Sequence, residues 1–244
     1  MMIKMTKECP MEITRKKSYY CSILQVNRRG EEEEICSLCP ALNKQMKQNK
    51  MLREAFDFAE KAHQGQYRKG TDIPYLIHLI RAWGYVSKMT ESETEQAAAL
   101  LHDVLEDTDV TKEELERLFG GELAELVAKE SEHKRAESPA HETWVIRKQE
   151  TIERLKKCME SKDEQAAMRI AFGDKLANLY SMMFEYRYVG DRLWNKFNQK
   201  DKKHHEWYYG EMGKIFKTYF AEDEPELVEE YREYFKEVFE GNEI

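Results

Sequence analysis

With 244 residues, 41% of them hydrophobic, and a net charge of −8, the chain can build one sizeable core but is too acidic to attract duplex nucleic acid non-specifically. No apolar run approaches the ~20 residues of a membrane span, and the N-terminal MMIKMTKECPMEITRKK has no apolar stretch of signal-peptide type. The expectation is a cytoplasmic protein with no nucleic-acid or membrane partner and an open oligomeric state, in which a small phosphorylated ligand needs only a local basic pocket.

Residues 1–45 differ in character from the rest of the chain. Through residue 50 there are ten lysines and arginines against six acids, so this piece is net positive within an acidic chain. Four of the five cysteines fall here, at Cys9, Cys21, Cys36 and Cys39. Cys36-Ser-Leu-Cys39 has the local spacing of a zinc ligand pair, but the irregular wider spacing favours reduced, unpaired thiols. Tyr19 to Val26 is a candidate short strand. We read residues 1–45 as an N-terminal extension, with flexibility and role left open.

From about Lys47 the apolar residues recur at helical steps. Leu52, Ala55, Phe56, Ala59 and Ala62 mark the first helix. Two glycines and Pro74 break it, leaving His63–Pro74 as a loop that carries Arg68 and Lys69. Tyr75 to Ser87 resumes as helix with His78 inside it. Thr90-Glu-Ser-Glu93 and Thr111-Lys-Glu-Glu114 are capping-box patterns opening further helices, the second stopped by Gly120-Gly121. Next come a helix to about Glu132, a polar loop, and an amphipathic segment from His141 to about Ser161. The helix opened by Asp163 places Asp174 in an otherwise apolar face. A turn at Gly190–Asn198, a helix at Lys200–Tyr219 and a last helix from Pro225 complete the chain. The expected fold is all-α, a bundle of roughly nine helices, with residues 46–222 as its main domain and 223–244 as an acidic amphipathic helix packed on it.

The chemistry concentrates at Leu100-Leu101-His102-Asp103-Val104-Leu105-Glu106-Asp107-Thr108. An adjacent imidazole and carboxylate can share a divalent cation. Read as a continuous helix, i, i+4 spacing adds Glu106 and Asp107 on the same side. Four titratable groups among leucines and valine are costly to bury without a partner, and a cation is one. The plainer reading is a solvated helix end with incidental acids.

Tyr67-Arg68-Lys69-Gly70, Pro74-Tyr75-Leu76-Ile77-His78, His102-Asp103 with Glu106-Asp107-Thr108, and Gly173-Asp174-Lys175-Leu176-Ala177-Asn178 together resemble the HD superfamily of metal-dependent phosphohydrolases. Within it they are most similar to the RelA/SpoT hydrolase domain and the stand-alone small alarmone hydrolases, over about residues 51–220. The resemblance implies an HD-domain helical bundle with His78, His102, Asp103 and Asp174 as metal ligands. Such a mixed nitrogen and oxygen set suits Mn²⁺, with Fe or Zn as alternatives. It implies Glu106 and Asp107 as the acids that orient and deprotonate a metal-activated water. It implies substrate contacts from Arg68, Lys69, Lys134, Arg147, Lys148 and Asn178. Alone, each has an ordinary reading: Lys134, Arg147 and Lys148 as solvated helix charge, Asn178 as a packing amide. Two positions depart from the family pattern. His133 stands where an acid is common, and Leu79 replaces a frequent proline. The implied reaction is hydrolysis of the 3′-pyrophosphate of guanosine 3′,5′-bis(diphosphate) or its pentaphosphate relative, to GDP or GTP and pyrophosphate, without synthesis. Alternatives are another nucleotide (an adenosine alarmone, a nicotinamide dinucleotide phosphate, a nucleoside phosphate) or a non-catalytic nucleotide-sensing or partner-binding protein. Trp194, Trp207, Tyr208 and Tyr209 are read mainly as core aromatics, with the lining of the pocket by Tyr208 or Tyr209 as the alternative.

Overall fold

A computed structural model describes residues 44–132, 137–161 and 164–239, together with the backbone of 11–13, 18–21 and 26–29. The N-terminal piece forms a three-stranded antiparallel sheet, β1 (Met11–Ile13), β2 (Ser18–Cys21) and β3 (Val26–Arg29), in sequential order. Tyr20 opposes Glu12 on one side and Asn27 on the other. The expected single strand over Tyr19–Val26 therefore falls on two paired strands, β2 ending at Cys21 and β3 beginning at Val26. Cys9, Cys36 and Cys39 lie outside the described residues, and so does the side chain of Cys21.

After a helical segment at 44–48, the chain builds the domain from helices. Asn49 caps α1 (Lys50–Ala62), its side-chain oxygen accepting from the Leu52 amide at 2.9 Å, and Leu52, Ala55, Phe56 and Ala59 form the buried face. The loop after α1 closes on itself through Arg68 N to Ile73 O at 2.7 Å and Tyr75 N to Gln66 O at 2.9 Å. Gly70 has φ +74° there, a conformation open to glycine, and an added Cβ would stand 3.2 Å from the Lys196 side chain. α2 (Leu76–Met89) and α3 (Glu93–Leu101) come next. The cap of α3 is Ser92 rather than Thr90; the Thr90 hydroxyl instead accepts from the Ser92 amide at 3.1 Å and shapes the approach. A break at His102–Asp103 leads into the short α4 (Val104–Asp107). Thr111 caps α5 (Lys112–Phe119) as its pattern predicts, and Gly120, at φ +90°, separates it from α6 (Gly121–Glu130). The long helices α7 (Ala140–Cys158) and α8 (Gln165–Val189), a 3-10 helix (Gly190–Lys196), α9 (Lys202–Phe220) and α10 (Pro225–Val238) complete the fold. Pro225 occupies the first turn of α10, where its missing N–H is not needed.

Two apolar clusters flank α8. One gathers α1, α2, α3 and α6 around Leu79, Trp83, Leu100 and Val127 and reaches Ile170. The other gathers α7, α9 and α10 around Phe172, Leu176, Phe216 and Tyr231. α8 thus has buried residues on nearly every side, as a central helix must. Arg169 of α8 holds Glu95 of α3 through two bonds of 2.6 and 2.9 Å, and α2 and α8 approach closely at Gly173. These contacts set the relative height of the three helices that carry the functional residues. No described helix is long and apolar enough to cross a membrane.

Candidate metal centre and active site

His78 on α2, His102 and Asp103 at the α3–α4 break, and Asp174 on α8 converge in the interior. His78 Nε2 lies 3.3 Å from Asp103 Oδ2 and 3.1 Å from Asp174 Oδ1. His102 Nε2 lies 3.1 and 3.5 Å from the same two atoms. The two imidazole nitrogens are 3.2 Å apart. These separations match the edges of a coordination polyhedron with bonds of about 2.0–2.2 Å. His102 Nδ1 lies 2.8 Å from the Ala99 carbonyl, so it carries a proton and Nε2 is the nitrogen turned to the cluster. Two carboxylates and two imidazole nitrogens face one point, an arrangement that needs a cation or shared protons between them, and the donor set fits a divalent cation. His78, His102 and Asp103 form a compact group able to hold one.

The electrostatics agree. Burial opposes charge on His102, but Asp103 and Asp174 raise its pKa well above the ordinary imidazole value. Burial likewise opposes charge on both carboxylates; the two histidines pull Asp103 well below its usual range, and Lys175 with the histidines does the same for Asp174. A cation would take the place of those protons.

The break at His102–Asp103 changes how the acids reach the centre. Glu106 and Asp107 do not extend the helix bearing His102. They belong to the new turn of α4, with both amides bonded to the Asp103 carbonyl at 3.1 and 2.8 Å. Glu106 Oε2 accepts from the Glu132 amide at 3.3 Å. Burial, then Asp103, Glu132 and Asp107, push its carboxyl up to about 7, against a smaller opposing effect of Lys148. Asp107 is anchored through its carbonyl, which accepts from Gln66 Nε2 at 2.8 Å, and through its carboxylate, 2.9 Å from the Tyr75 hydroxyl.

Of the expected substrate contacts, Arg68 and Asn178 form one unit. Arg68 Nη2 donates to Asn178 Oδ1 at 2.8 Å, and Asn178 Nδ2 donates to Asp174 Oδ1 at 2.6 Å. Lys69 donates to Asn198 Oδ1 at 3.2 Å. Arg147 and Lys148 reach the site but meet the Glu132 carboxylate at 2.8 and 2.7 Å. Lys134 and His133 lie outside the described residues. A cavity of about 800 Å³, lined by Arg68, Lys69, Arg81, Asn178, Tyr180 and Lys196 among others, adjoins one of about 230 Å³ that holds the four-donor cluster with Glu106, Arg147 and Lys148. Tyr75, His78, Asp107 and Asn178 line both.

A family model described as HD domain matches residues 55–189. The chain belongs to the HD domain family. Membership in that family implies a divalent metal, consistent with the clustered donors. A GTP pyrophosphokinase of Myxococcus xanthus is 42% identical over 77 residues, covering 32% of this chain and 10% of that protein. A guanosine-3′,5′-bis(diphosphate) 3′-pyrophosphohydrolase of Vibrio cholerae is 45% identical over 76 residues, covering 31% of this chain and 11% of that protein. The chain thus spans about a tenth of the length of the curated relatives it matches. The solved structure of a metazoan ortholog of SpoT, reported to hydrolyse ppGpp, shares the HD fold at a TM-score of 0.57 and 25% identity, covering 75% of this chain and 93% of that one.

Sequence reasoning passed over several residues of this HD site. The Tyr75 hydroxyl stands 2.8 Å from Asp103 Oδ2 as well as 2.9 Å from Asp107. Its position three residues before His78, on the same helical face, was a usable signal. Lys175 is bonded to Asp174 from the next position in the chain, and Glu132 gathers Arg147, Lys148 and Thr151. Lys175 stands within the Gly173–Asn178 motif, which was a usable signal, whereas Glu132 has no distinguishing local pattern.

Proposed function

We propose that this HD domain is a pyrophosphohydrolase that cleaves the 3′-pyrophosphate from guanosine 3′,5′-bis(diphosphate) or its pentaphosphate relative, releasing GDP or GTP and pyrophosphate. The observation that carries the reading is the setting of Glu106 and Asp107 against the four-donor cluster, at the junction of a large and a small cavity. The activities named for the Vibrio protein and for the metazoan SpoT ortholog point the same way.

In this reading His78, His102, Asp103 and Asp174 hold the cation, for which we propose Mn²⁺, with Fe or Zn as alternatives. When bound, the cation supplies Lewis acidity and lowers the pKa of water. Glu106 takes the proton of the attacking water, a role suited to a carboxylate whose pKa is pushed up to about 7. Asp107, fixed by Gln66 and Tyr75, orients that water. Arg68 and Asn178, coupled to each other and to Asp174, place the nucleoside relative to the reacting phosphorus, with Lys69 beside them. Arg147 and Lys148 face the phosphates, where fixed positive charge favours the developing negative charge of the leaving group, and Lys134, outside the described residues, is assigned to the same task. We assign the catalytic unit to residues 46–222, with 223–244 packed on it and 1–45 as an extension.

The deciding experiment is pyrophosphate release from guanosine 3′,5′-bis(diphosphate) with Mn²⁺, comparing wild type with Asp103→Ala and Glu106→Ala. Release abolished by both substitutions supports the reading. No release by folded, metal-loaded wild type overturns the substrate, and release that survives Asp103→Ala overturns the metal site.

A further inference from the structure

The smaller cavity is lined by a buried polar group to which the proposed mechanism gives no part. Tyr208 of α9 lies beyond the matched residues 55–189 and is 2% exposed. It lines the cavity that holds the metal-ligand cluster, yet its hydroxyl has no hydrogen-bond partner among the described residues. A buried hydroxyl left unpaired is unfavourable, and the large majority of such groups in native proteins are satisfied.

The ring is held firmly. Trp144 and Tyr209 meet it edge-on, with centroids 5.9 and 5.2 Å away, and Lys148 Nζ lies 4.9 Å from its centroid. Burial keeps the phenol protonated, well above its ordinary pKa, so the hydroxyl remains a donor at any working pH.

The surroundings define what it would meet. Arg147, Lys148, Arg154 and Lys175 line the same cavity. Each already faces a carboxylate: Glu132 for the first two, Glu130 for Arg154 and Asp174 for Lys175. Among the described residues Arg147 nevertheless keeps a second unpaired donor, its buried Nε. The lining also holds Asp103, Glu106, Asp107, Glu130, Glu132 and Asp174, so it is the two unpaired donors, rather than net charge, that call for an oxygen-rich acceptor. Arg68 and Asn178 also line the large cavity, which is the roomier place for the nucleoside and leaves the small one for phosphate.

We infer that Tyr208 is a substrate-binding residue whose hydroxyl donates a hydrogen bond to an oxygen of the pyrophosphate group seated in the smaller cavity. The inference rests on the proposed hydrolase reading and adds to it a residue from a helix outside the family match.

Tyr208→Phe keeps the ring and its contacts and removes only the hydroxyl. Inorganic pyrophosphate serves as the probe, titrated calorimetrically into the Mn²⁺-loaded full chain. The expected result is pyrophosphate binding weakened about 10- to 100-fold, guanosine binding unchanged within about twofold, and a melting temperature unchanged or raised. In turnover, KM rises while kcat changes little, the pattern of a contact kept through the reaction. Unchanged pyrophosphate affinity in the variant overturns the inference, as does failure of the wild type to bind pyrophosphate. A lowered melting temperature assigns the hydroxyl a structural role and also overturns it. Tyr208-dependent pyrophosphate binding by a protein that hydrolyses no guanosine 3′,5′-bis(diphosphate) supports the inference and overturns the substrate reading alone.

Discussion

Gly173 faces Val86 so closely that a Cβ on the glycine would stand 2.7 Å from Val86 Cγ2 and 2.9 Å from the Ala82 carbonyl oxygen. This approach brings α8 against α2 one residue before Asp174, and it sets the 3.1 Å separation of His78 from Asp174. Gly173→Ala is expected to destabilise the protein by about 1–3 kcal/mol through overpacking, despite the better helix propensity of alanine. It should also weaken Mn²⁺ binding. Adding Val86→Ala should restore only part of both losses, because the clash with the backbone oxygen of Ala82 remains. Thermal melts and Mn²⁺ titrations of the three variants check this; a Gly173→Ala protein with wild-type cation affinity would refute the dependence of the site on α2–α8 spacing.

Tyr75 carries one proton between two carboxylates, Asp103 at 2.8 Å and Asp107 at 2.9 Å. Burial, then those two acids, keep its pKa well above the ordinary phenol value, so it is a donor. A group that orients a proposed metal ligand in this way typically contributes about 10- to 100-fold in metal affinity or activity. Tyr75→Phe should show a loss in that range with a preserved fold, measured by cation titration and turnover together. A change smaller than about twofold in both would remove Tyr75 from the site's working parts.

Glu106 makes the site pH-sensitive in two ways. Its carboxyl is raised from an ordinary 4.5 to about 7 in the metal-free protein. A raised acid favours the protonated folded state, so its contribution to stability is fully present below 4.5 and is lost as pH rises through about 7. The size is about 3 kcal/mol. Relative to Glu106→Gln, the metal-free wild type should therefore lose stability between those limits. In its proposed role as base Glu106 must be ionised, so kcat/KM should rise with pH, and a bound cation should draw that limb below 7 by favouring the carboxylate. A Glu106→Gln profile with the same acid limb would assign the limb to another group.

Asn178 joins Arg68 to Asp174 through bonds of 2.8 and 2.6 Å. Removing either partner releases the other, so the losses in kcat/KM from Arg68→Ala and Asn178→Ala should not add. We expect each to lower kcat/KM about tenfold and the double variant to lose little more, a coupling of about 1 kcal/mol or more. Strict additivity in a double-mutant cycle would show that the two side chains act separately.

Much of the domain was legible from local pattern. Leu52, Ala55, Phe56 and Ala59 keep the 3.6-residue period that burial on one face demands, Thr111 caps where a hydroxyl can reach the Glu114 amide, and Pro225 opens a helix where a missing N–H is harmless. α8 was harder, because a helix packed between two clusters buries residues all round and shows no clean stripe. The i, i+4 argument for Glu106 and Asp107 assumed one continuous helix, whereas the chain breaks at His102–Asp103 and the acids arrive on a new turn.

The sequence by itself determined the helical class and the chemical inventory: two histidines and two aspartates in separated segments, acids after the His-Asp pair, and cations in two loops or helices. These are local properties, carried by residue type and spacing. Only the tertiary structure decided that His78, His102, Asp103 and Asp174 face one point, that Glu132 already holds Arg147 and Lys148, that Tyr75 bridges two acids, and that Tyr208 is buried beside them with its hydroxyl unpaired among the described residues. Each of those facts depends on distances between helices far apart in the chain, set by packing contacts such as Gly173 against Val86 that no local pattern encodes.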